Sequence, residues 1–309
     1  MVIIQLAGGL GNQLQQYALY RKFVRLGVEA RLDLSWFEKV QIAERGRTKG
    51  NNTIPVVTKR EMELRYFDRL VFETCSREER EALIGTDGIF GKLRRKLLPF
   101  TIHKFEESQM YHPELLSFEN MYLTGYFACE KYYADILYDL REKIQFPPSS
   151  NSLNQKMAER MRSGNSVSVH IRRGDYLNPE NAAMFGNICT DAYYANAISM
   201  MKGMIPDAHF YLFSDDISYV KRNYIGEEYT IVDINHGRDS FYDMWLMSNC
   251  RHNICANSTF SFWGARLNPN ESKVMIRPTI QKNSQVFVKE EMEDLWQGWR
   301  FISPQGKLM

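Results

Sequence analysis

Hydrophobic and polar residues alternate with regular periods near the amino terminus of the chain. An apolar run at residues 2–6 is followed by a glycine-rich turn, a helical pattern at residues 14–26, and a strand pattern at residues 29–34. A strand, a helix and a strand at this spacing predict a parallel βαβ unit. Farther along, residues 121–127 predict another strand and residues 130–144 another helix.

The second half of the chain shows the same alternation more regularly. Strands are predicted at residues 166–171, 209–213, 229–232, 253–256 and 273–276, and helices at residues 191–201, 217–224, 240–249 and after Thr259. Strands that alternate with helices in this way predict a second α/β domain with a parallel sheet. Residues 38–118 are charged and show one clear helical period, at residues 77–84, so no fold is predicted for most of that stretch.

A linker is predicted at residues 145–152, QFPPSSNS, because paired prolines end a helix and small polar residues favour extended backbone. The chain has 309 residues, more than one domain usually holds. We therefore predict an amino-terminal α/β domain at residues 1–148 and a carboxy-terminal one at residues 149–285. The tail, residues 286–309, contains a charged helix at residues 288–296 and is expected to pack back on the first domain.

Composition and charge narrow the class of protein. Hydrophobic residues make up 44% of the chain and charged residues 25%, an ordinary globular mixture, and the net charge is +2. The basic field that nucleic-acid binding requires is missing, so no nucleic-acid partner is expected. Basic clusters at residues 77–80 and 91–96 are interpreted as solvated helix faces.

The cysteines and the apolar runs bear on the cellular compartment. Five cysteines are scattered without a CxxC pair, which argues against both a disulfide framework and a zinc site and fits a reducing compartment. The first apolar run is too short for a signal peptide, and no stretch approaches 18 apolar residues. We expect a cytoplasmic protein and leave contact with a membrane surface open.

Two arginines follow the strand at residues 166–171, in the sequence HIRRGDY at residues 170–176. Ligands of open α/β sheets bind where such strands end, and adjacent guanidiniums can hold several phosphate oxygens through forked hydrogen bonds. The cluster therefore predicts a diphosphate site. The alternative is a surface ion pair between arginine and aspartate on a tight turn at Gly174.

The glycine-rich turn near the amino terminus supports a different hypothesis. Gly9 and Gly11 follow a strand and open a helix, and Asp33 lies 22 residues beyond Gly11, where an acid that binds a ribose is expected. This pattern favours an NAD(P)-dependent oxidoreductase. Against it, Leu14 replaces the third glycine of the fingerprint, and a simple helix start remains a further interpretation.

Two more segments place polar residues directly after strands. Asp215 and Asp216 can hold a divalent metal or cap the next helix, and capping is the favoured interpretation. In residues 257–265, NSTFSFWGA, the hydroxyls of Ser258 and Thr259 can bind a phosphate together with the first helix amides, or can act only as an N-cap. The aromatic residues of that run are expected to pack in the core.

These segments together resemble, in order and spacing, the bacterial galactoside α-1,2-fucosyltransferases and the wider group of fucosyltransferases that share His-x-Arg-Arg-x-Asp. The resembling motifs are GGLGNQ at residues 8–13, HIRRGDY, SDD at residues 214–216 and NSTFSFWG at residues 257–264. The resemblance spans nearly the whole chain. It implies a GT-B-like architecture with two Rossmann-like domains facing across a cleft. It also implies an inverting transfer from GDP-fucose, held mainly by the carboxy-terminal domain, to the 2-hydroxyl of a terminal β-galactoside, with no metal and no other cofactor.

The resemblance also implies roles for individual residues. Arg172 and Arg173 bind the diphosphate and His170 lies beside the nucleotide. A carboxylate that recognises the guanine N1 and N2 hydrogens corresponds to Asp243. The remaining residues expected to contact GDP-fucose are Ser258, Thr259 and Phe260 at the last motif and Gly9, Gly11 and Asn12 in the first domain.

The proton of the acceptor hydroxyl must go to a base, and Asp175 and Glu180 are the nearest candidates in sequence. Arg172 is counted with them as catalytic, because it neutralises the leaving diphosphate. The acceptor is expected to be a free or lipid-linked glycan. The chain departs from its relatives at Leu14 and at Phe185, which affects the expected acceptor contacts and not the donor site. Besides the oxidoreductase, a non-catalytic module that binds nucleotide sugars remains an alternative.

Overall fold

Two parallel β-sheets, one in each half of the chain, form the framework of this computed structural model, which describes residues 1–38, 61–86 and 88–309. The chain divides into two units, Met1–Gln145 and Phe146–Met309. The predicted α/β class, with a parallel sheet in each half, is confirmed. Along the described residues, no helix is both long and apolar enough to cross a bilayer.

Among the residues described in the first unit, four strands form a parallel sheet in the order β2-β1-β4-β3. Its strands are β1 (Val2–Gln5), β2 (Ala30–Asp33), β3 (Lys104–Glu106) and β4 (Met121–Thr124), and its helices are α1 (Leu10–Arg25), α2 (Arg77–Ile84), α3 (Ile89–Leu97) and α4 (Leu137–Lys143). β1 and β2 pair in parallel with α1 between them, which confirms the predicted βαβ unit. The predicted helix at residues 77–84 is confirmed as α2, which a capping box between Ser76 and Glu79 begins.

Two local predictions in this unit are wrong. The helix predicted at residues 130–144 consists of two 3-10 turns followed by the shorter α4. Tyr132 and Tyr133 are fully buried there, and the Tyr132 hydroxyl accepts a hydrogen bond from the His112 amide at 2.7 Å, so tertiary packing overrides the helical pattern. The glycine-rich turn is also shorter than predicted, because α1 begins at Leu10 and includes Gly11 and Asn12.

In the second unit, whose backbone is described from Phe146 to Met309, six strands form a parallel sheet in the order β10-β9-β8-β5-β6-β7. The strands are β5 (Ser166–Ile171), β6 (His209–Ser214), β7 (Tyr229–Ile231), β8 (His252–Ile254), β9 (Met275–Pro278) and β10 (Trp299–Ile302). The helices are α5 (Ser152–Ser163), α6 (Pro179–Phe185), α7 (Asp191–Met204), α8 (Ile217–Asn223), α9 (Phe241–Asn249), α10 (Thr259–Leu267) and α11 (Lys289–Leu295).

Helices cover both faces of this sheet, because successive side chains of a strand point to opposite faces. Phe210 and Leu212 pack with residues of α7 on one face, while Tyr211 and Phe213 pack with residues of α5 and α9 on the other. All six residues of β5 are buried. The sheet is therefore a rigid support for the loops that follow β5, β6 and β8.

The tail, which was predicted to pack back on the first domain, belongs to the second unit. β10 pairs in parallel with β9, from Trp299 opposite Met275 to Ile302 opposite Pro278. The buried Trp296, directly after α11, contacts the ring of Phe262 on α10 at a centroid distance of 5.4 Å. Aromatic packing and strand pairing together place the tail at the edge of this sheet.

Candidate active site

The strand order of the second sheet brings two polar loops together. β5 lies between β6 and β8, and the chain continues from β5 toward β6 but from β8 toward β9 on the opposite side. Such a reversal opens a crevice at the carboxyl ends of the two strands, which is where open α/β sheets bind ligands. The Tyr176 hydroxyl donates a 3.1 Å hydrogen bond to the carbonyl oxygen of Asn257 and links the two loops.

The two arginines after β5 pair with the two aspartates after β6. Arg172 Nη1 lies 3.0 Å from Asp215 Oδ2, and Arg173 Nε lies 3.2 Å from Asp216 Oδ2. Asp215 Oδ1 also accepts hydrogen bonds from the backbone amides of Arg173, at 2.9 Å, and Gly174, at 3.0 Å. All four charged side chains are partly exposed. The ion pairs of the alternative interpretation thus exist, but they join two motifs and leave the guanidiniums partly open to solvent.

Aromatic rings support both guanidiniums. Arg173 Cζ lies 3.7 Å from the ring centroid of Tyr219, and Arg172 Cζ lies 5.6 Å from that of Tyr176. The Tyr219 hydroxyl donates a short hydrogen bond to Asp191 Oδ1. These rings restrict the rotamers of the two arginines.

Asp216 caps the helix that follows it, as predicted. Its Oδ1 accepts a hydrogen bond from the Tyr219 amide at 2.9 Å, at the start of α8. This hydrogen bond is the main reason that the pKa of Asp216 lies below its usual value. Within residues 1–38, 61–86 and 88–309, no group of three or more His, Cys, Asp or Glu side chains is arranged to hold a metal ion.

His170 is buried between the arginines and the start of α10. Its ring lies 5.9 Å from the ring of Phe260, and its Nδ1 has no hydrogen-bond partner among the described residues. Burial, and then the charge of Arg172, lower the pKa of His170 to about 4. His170 is therefore uncharged near neutral pH, with one ring nitrogen unsatisfied.

The start of α10 lacks the side-chain cap that its sequence offers. Ser258 occupies the N-cap position with extended backbone, but its side chain makes no capping hydrogen bond within the described structure. Ser258, Thr259 and Phe260 are half-buried, whereas Phe262 and Trp263 are fully buried. Phe260 nevertheless packs against a core cluster, so the prediction of core packing is confirmed for all three aromatic residues. The first amides of the helix carry the positive end of its dipole and suit a phosphate.

Asp243 lies in the first turn of α9, in a network that the sequence did not reveal. Its Oδ1 accepts a 2.8 Å hydrogen bond from Nδ2 of Asn235, and Asn235 exchanges two hydrogen bonds with the fully buried Asn154. Burial raises the pKa of Asp243 to about 7, against the lowering effect of the bond from Asn235. Because Asp243 is hydrogen-bonded to a network that includes the fully buried Asn154, the alternative of a simple helix-surface carboxylate is not favoured.

The residues predicted in the first unit lie at the start of α1. Gly9 is the N-cap residue with extended backbone, Gly11 is buried, and Asn12 is half-buried. Gly8 has a φ of +81°, and a Cβ there would come within 2.6 Å of Asn12 Nδ2, so glycine is required at this close approach.

Buried glutamines of α1 hold this turn in place through hydrogen bonds. Gln13 Oε1 accepts hydrogen bonds from the amides of Glu63 and Leu64, and its Nε2 donates to the carbonyl of Gly8. Gln16 Oε1 accepts from the amide of Ala7 at 2.9 Å. Sequence analysis missed these roles, although glutamines in an otherwise apolar helix are a visible signal of buried hydrogen bonds.

Asp33 does not fit the role that the oxidoreductase alternative requires. Its carboxylate is buried and accepts hydrogen bonds from the Tyr122 hydroxyl, at 2.6 Å, and from the amide and hydroxyl of Ser35, both at 2.9 Å. Arg80 adds an ion pair at 3.8 Å. The carboxylate is thus already satisfied by the first unit itself.

The two candidate bases are placed only by their backbone. Asp175 belongs to the 3-10 helix Gly174–Leu177, and Glu180 to α6. Their side chains lie outside the described residues, so their role as base stays a prediction. Nearby, Tyr176 stacks on Phe185, the residue that departs from the relatives, with centroids 5.2 Å apart.

Comparisons with known proteins agree with these motifs. Residues 98–303 match the model of the family described as Glycosyl transferase family 11. The chain is 30% identical over 284 residues to an α-1,2-colitosyltransferase of Escherichia coli, covering 90% of this chain and 91% of the relative. It is also 30% identical over 304 residues to the O-antigen biosynthesis glycosyltransferase WbnK of Escherichia coli, covering 88% and 92%.

More distant relatives and solved structures match as well. A galactoside 2-α-L-fucosyltransferase of Bos taurus is 27% identical over 161 residues, covering 48% of this chain and 42% of the relative. A structure of the α-1,6-fucosyltransferase NodZ, soaked with GDP-fucose, aligns with a TM-score of 0.43 and 13% identity over 87% of this chain and 92% of that one.

Proposed function

The chain belongs to glycosyl transferase family 11 and is a glycosyltransferase, and we propose that it moves fucose from GDP-fucose to the 2-hydroxyl of a terminal β-galactoside. The observation that carries this proposal is the pair Arg172 and Arg173 at the reversal of strand order, with the start of α10 following the neighbouring strand β8. A nucleoside diphosphate sugar carries two phosphates, and this crevice offers two guanidiniums and a helix start to them.

The arginines act on the leaving group. When the bond from fucose to the diphosphate breaks, negative charge develops on GDP, and guanidiniums that are already oriented stabilise this charge without reorganisation. Asp215 and the ring of Tyr219 hold Arg172 and Arg173 in place beforehand. The proposed transfer inverts the anomeric centre. It is proposed to require no metal, because two guanidiniums can donate charge-assisted hydrogen bonds to the departing diphosphate.

Asp243 and His170 are proposed to recognise the nucleotide. A carboxylate on α9 can accept hydrogen bonds from guanine N1 and N2, which adenine does not offer in that pattern. Its pKa of about 7 leaves part of Asp243 ionised at neutral pH. His170 is uncharged and adds no positive charge beside the arginines. Its Nδ1 is proposed to form a hydrogen bond with GDP-fucose.

The remaining contacts of the donor and the acceptor are part of the same proposal. Ser258, Thr259 and Phe260 contact the phosphates, Gly9, Gly11 and Asn12 also contact the donor, and Asp175 or Glu180 removes the proton from the acceptor hydroxyl. The acceptor is a free or lipid-linked glycan, as the O-antigen role of one relative suggests. A lipid-linked acceptor is made at the membrane, so we place the reaction on the cytoplasmic side with peripheral membrane contact.

One relative supports a second candidate donor. Its name specifies colitosyl transfer, and it covers 90% of this chain at 30% identity. Colitose differs from fucose at position 3, where it lacks the hydroxyl. The same site chemistry for the diphosphate serves both donors, so only direct competition between the two activated sugars separates them.

Release of GDP tests the proposal directly. GDP-fucose is incubated with the protein in the presence of EDTA, with lactose or without it, and with GDP-colitose in a parallel series. We expect release that depends on lactose, survives EDTA and is faster with GDP-fucose. Faster release from GDP-colitose would favour the second candidate. Binding of GDP without release in either series would contradict transfer to lactose, and absence of GDP binding would contradict the donor site.

A further inference from the structure

A short helix in the first unit, α3, carries an apolar stripe whose side chains are exposed. The stripe consists of Ile89, Leu93 and Leu97 on α3 and Phe100 just beyond it, with exposed fractions of 82%, 49%, 62% and 77%. Ile89, Leu93 and Leu97 are spaced by four residues and therefore lie on one side of the helix. Amphipathic helices of globular proteins normally turn this side inward, so the outward stripe requires a partner.

The charges of the same helix point to an anionic partner. The sequence from Ile89 to Leu98 contains Lys92, Arg94, Arg95 and Lys96 and no acidic residue. The net charge of the whole chain is +2, so this segment carries a local excess of positive charge. A solvated helix face, the interpretation favoured from sequence, explains the basic residues but not the exposed apolar stripe beside them.

We propose that α3 and the residues up to Phe100 bind the surface of an anionic lipid bilayer. A helix with interleaved basic and apolar residues lies in the interface, with its apolar side among the acyl chains and its cations near lipid phosphates. A nucleic acid would satisfy the charges and leave the apolar stripe in water. The nine residues of α3 span about 14 Å, far less than a bilayer core of about 30 Å, so the helix lies on the membrane and does not cross it.

The stripe has the features of an interfacial anchor in detail. Pro99 follows the helix and ends it, and the exposed Phe100 extends the apolar side past that end. Gly91, within the helix, is buried and lies close to the backbone of Thr86, just before the helix begins. The segment belongs to the first unit, and the inference rests on the proposed function in one respect, because it names the residues that make the peripheral membrane contact included there.

Co-sedimentation with vesicles tests this inference on the full chain. Phosphatidylcholine vesicles with about a third phosphatidylglycerol are compared with pure phosphatidylcholine vesicles. We expect binding to the anionic vesicles that weakens by about tenfold or more when salt rises from about 0.1 M to 0.5 M, because screening shortens the range of the attraction. Equal binding to both vesicles, or none to either, would overturn the inference.

Variants locate the binding surface. The double substitution Ile89→Glu and Leu97→Glu places charge in the stripe and is expected to reduce vesicle binding at least about tenfold, and Lys96→Glu to reduce it less. The matched control is Ile225→Glu, because Ile225 is also 82% exposed but lies in the second unit. It should bind like the unchanged protein. Equal losses in the double variant and the control would overturn the assignment to α3.

Two further readouts separate the membrane from other partners. The oligomeric state of the unchanged protein and of the double variant is measured by sedimentation, and transfer to soluble lactose is measured for all variants. We expect one oligomeric state and unaltered transfer throughout. A stripe variant that dissociates an oligomer while still binding vesicles would overturn the inference and identify a second copy of the chain as the partner.

Discussion

The guanidinium of Arg172 lies 3.0 Å from the carboxylate of Asp215, across the ends of two neighbouring strands. β5 and β6 pair in parallel with Ile171 opposite Ser214, so the residues that follow each strand are side by side. Asp215 also accepts hydrogen bonds from the backbone amides of Arg173 and Gly174. A single carboxylate therefore orients one arginine and fixes the loop that carries the other.

Substitution of Asp215 is expected to impair the reaction by misplacing Arg172. Asp215→Ala should lower kcat/KM for GDP-fucose by about a hundredfold, the cost of a misplaced catalytic group. Loss of its hydrogen bonds should also lower the free energy of unfolding by about 2 kcal/mol. Steady-state kinetics and urea denaturation measure both effects.

Asp215→Asn is the matched control for that substitution. The amide oxygen can still accept the backbone hydrogen bonds, whereas the charge that holds Arg172 is gone. We expect stability close to that of the unchanged protein together with impaired kinetics. Normal kinetics in both variants would show that Asp215 has a structural role only.

This relationship marks the limit of what the sequence reveals. Each motif was visible by itself, because arginines and aspartates after apolar runs stand out, and the strands β5 and β6 were predicted closely. The pairing of Arg172 with Asp215 depends on which strands are neighbours and in which register, and these are set by long-range packing. The buried network of Asn154, Asn235 and Asp243 was missed for the same reason.

The departures from prediction at residues 130–144 and at the tail also have tertiary causes. The pattern at residues 130–144 is helical in period, but two adjacent buried tyrosines break the helix before α4. The strand β10 at the tail has only four residues and depends on β9 for pairing, so its own sequence carries a weak signal. In both cases tertiary contacts outweigh local propensity.

Ser258→Ala is expected to separate ligand binding from helix capping. Because its side chain makes no capping hydrogen bond, the melting temperature should not change, whereas the affinity for GDP should fall about tenfold through loss of one bond to a phosphate. The hydroxyl of Thr190 accepts a hydrogen bond from the Tyr193 amide and caps α7. Thr190→Ala should therefore lower the free energy of unfolding by about 1 kcal/mol and leave the affinity for GDP unchanged. The reverse pattern would place Ser258 among ordinary caps.

The affinity for GDP is expected to rise with pH until Asp243 is ionised. Its pKa of about 7 means that protonation competes with acceptance of the guanine hydrogens below neutral pH. Calorimetric titration of GDP between about pH 6 and 8 should show affinity that increases and then levels. Asp243→Asn should bind more weakly and lose this component, while any change due to the phosphates of GDP remains.

Stability provides an independent check on the same group. The folded pKa of Asp243 lies above its usual value of 3.8, so the folded protein holds a proton that the unfolded chain releases. The contribution of Asp243 to the free energy of unfolding is therefore lost as pH rises from about 4 toward 7. Asp243→Asn should flatten that part of the profile, and an unchanged profile would contradict the raised pKa.

His170 should lower the stability of the protein at acidic pH. Near neutral pH it stays uncharged, so its titration should not change the rate of catalysis there. Its folded pKa of about 4 lies below the usual 6.5, so the unfolded chain binds a proton first and stability falls as pH drops through that window. Urea denaturation at about pH 7.5 and about pH 5 measures the fall, which His170→Gln should reduce. An equally large fall in the variant would assign it to other groups.

Calorimetric titration of GDP into the unchanged protein, Arg172→Ala and Arg172→Lys tests most directly whether the diphosphate binds at the reversal of strand order. Arg172 is proposed to form two forked hydrogen bonds to phosphate, so we predict that Arg172→Ala binds GDP about a hundredfold more weakly while its melting temperature stays the same. Arg172→Lys should recover little of the lost affinity. ADP should bind the unchanged protein more weakly than GDP. Unaltered GDP affinity in a folded Arg172→Ala variant would contradict the assignment of the donor site.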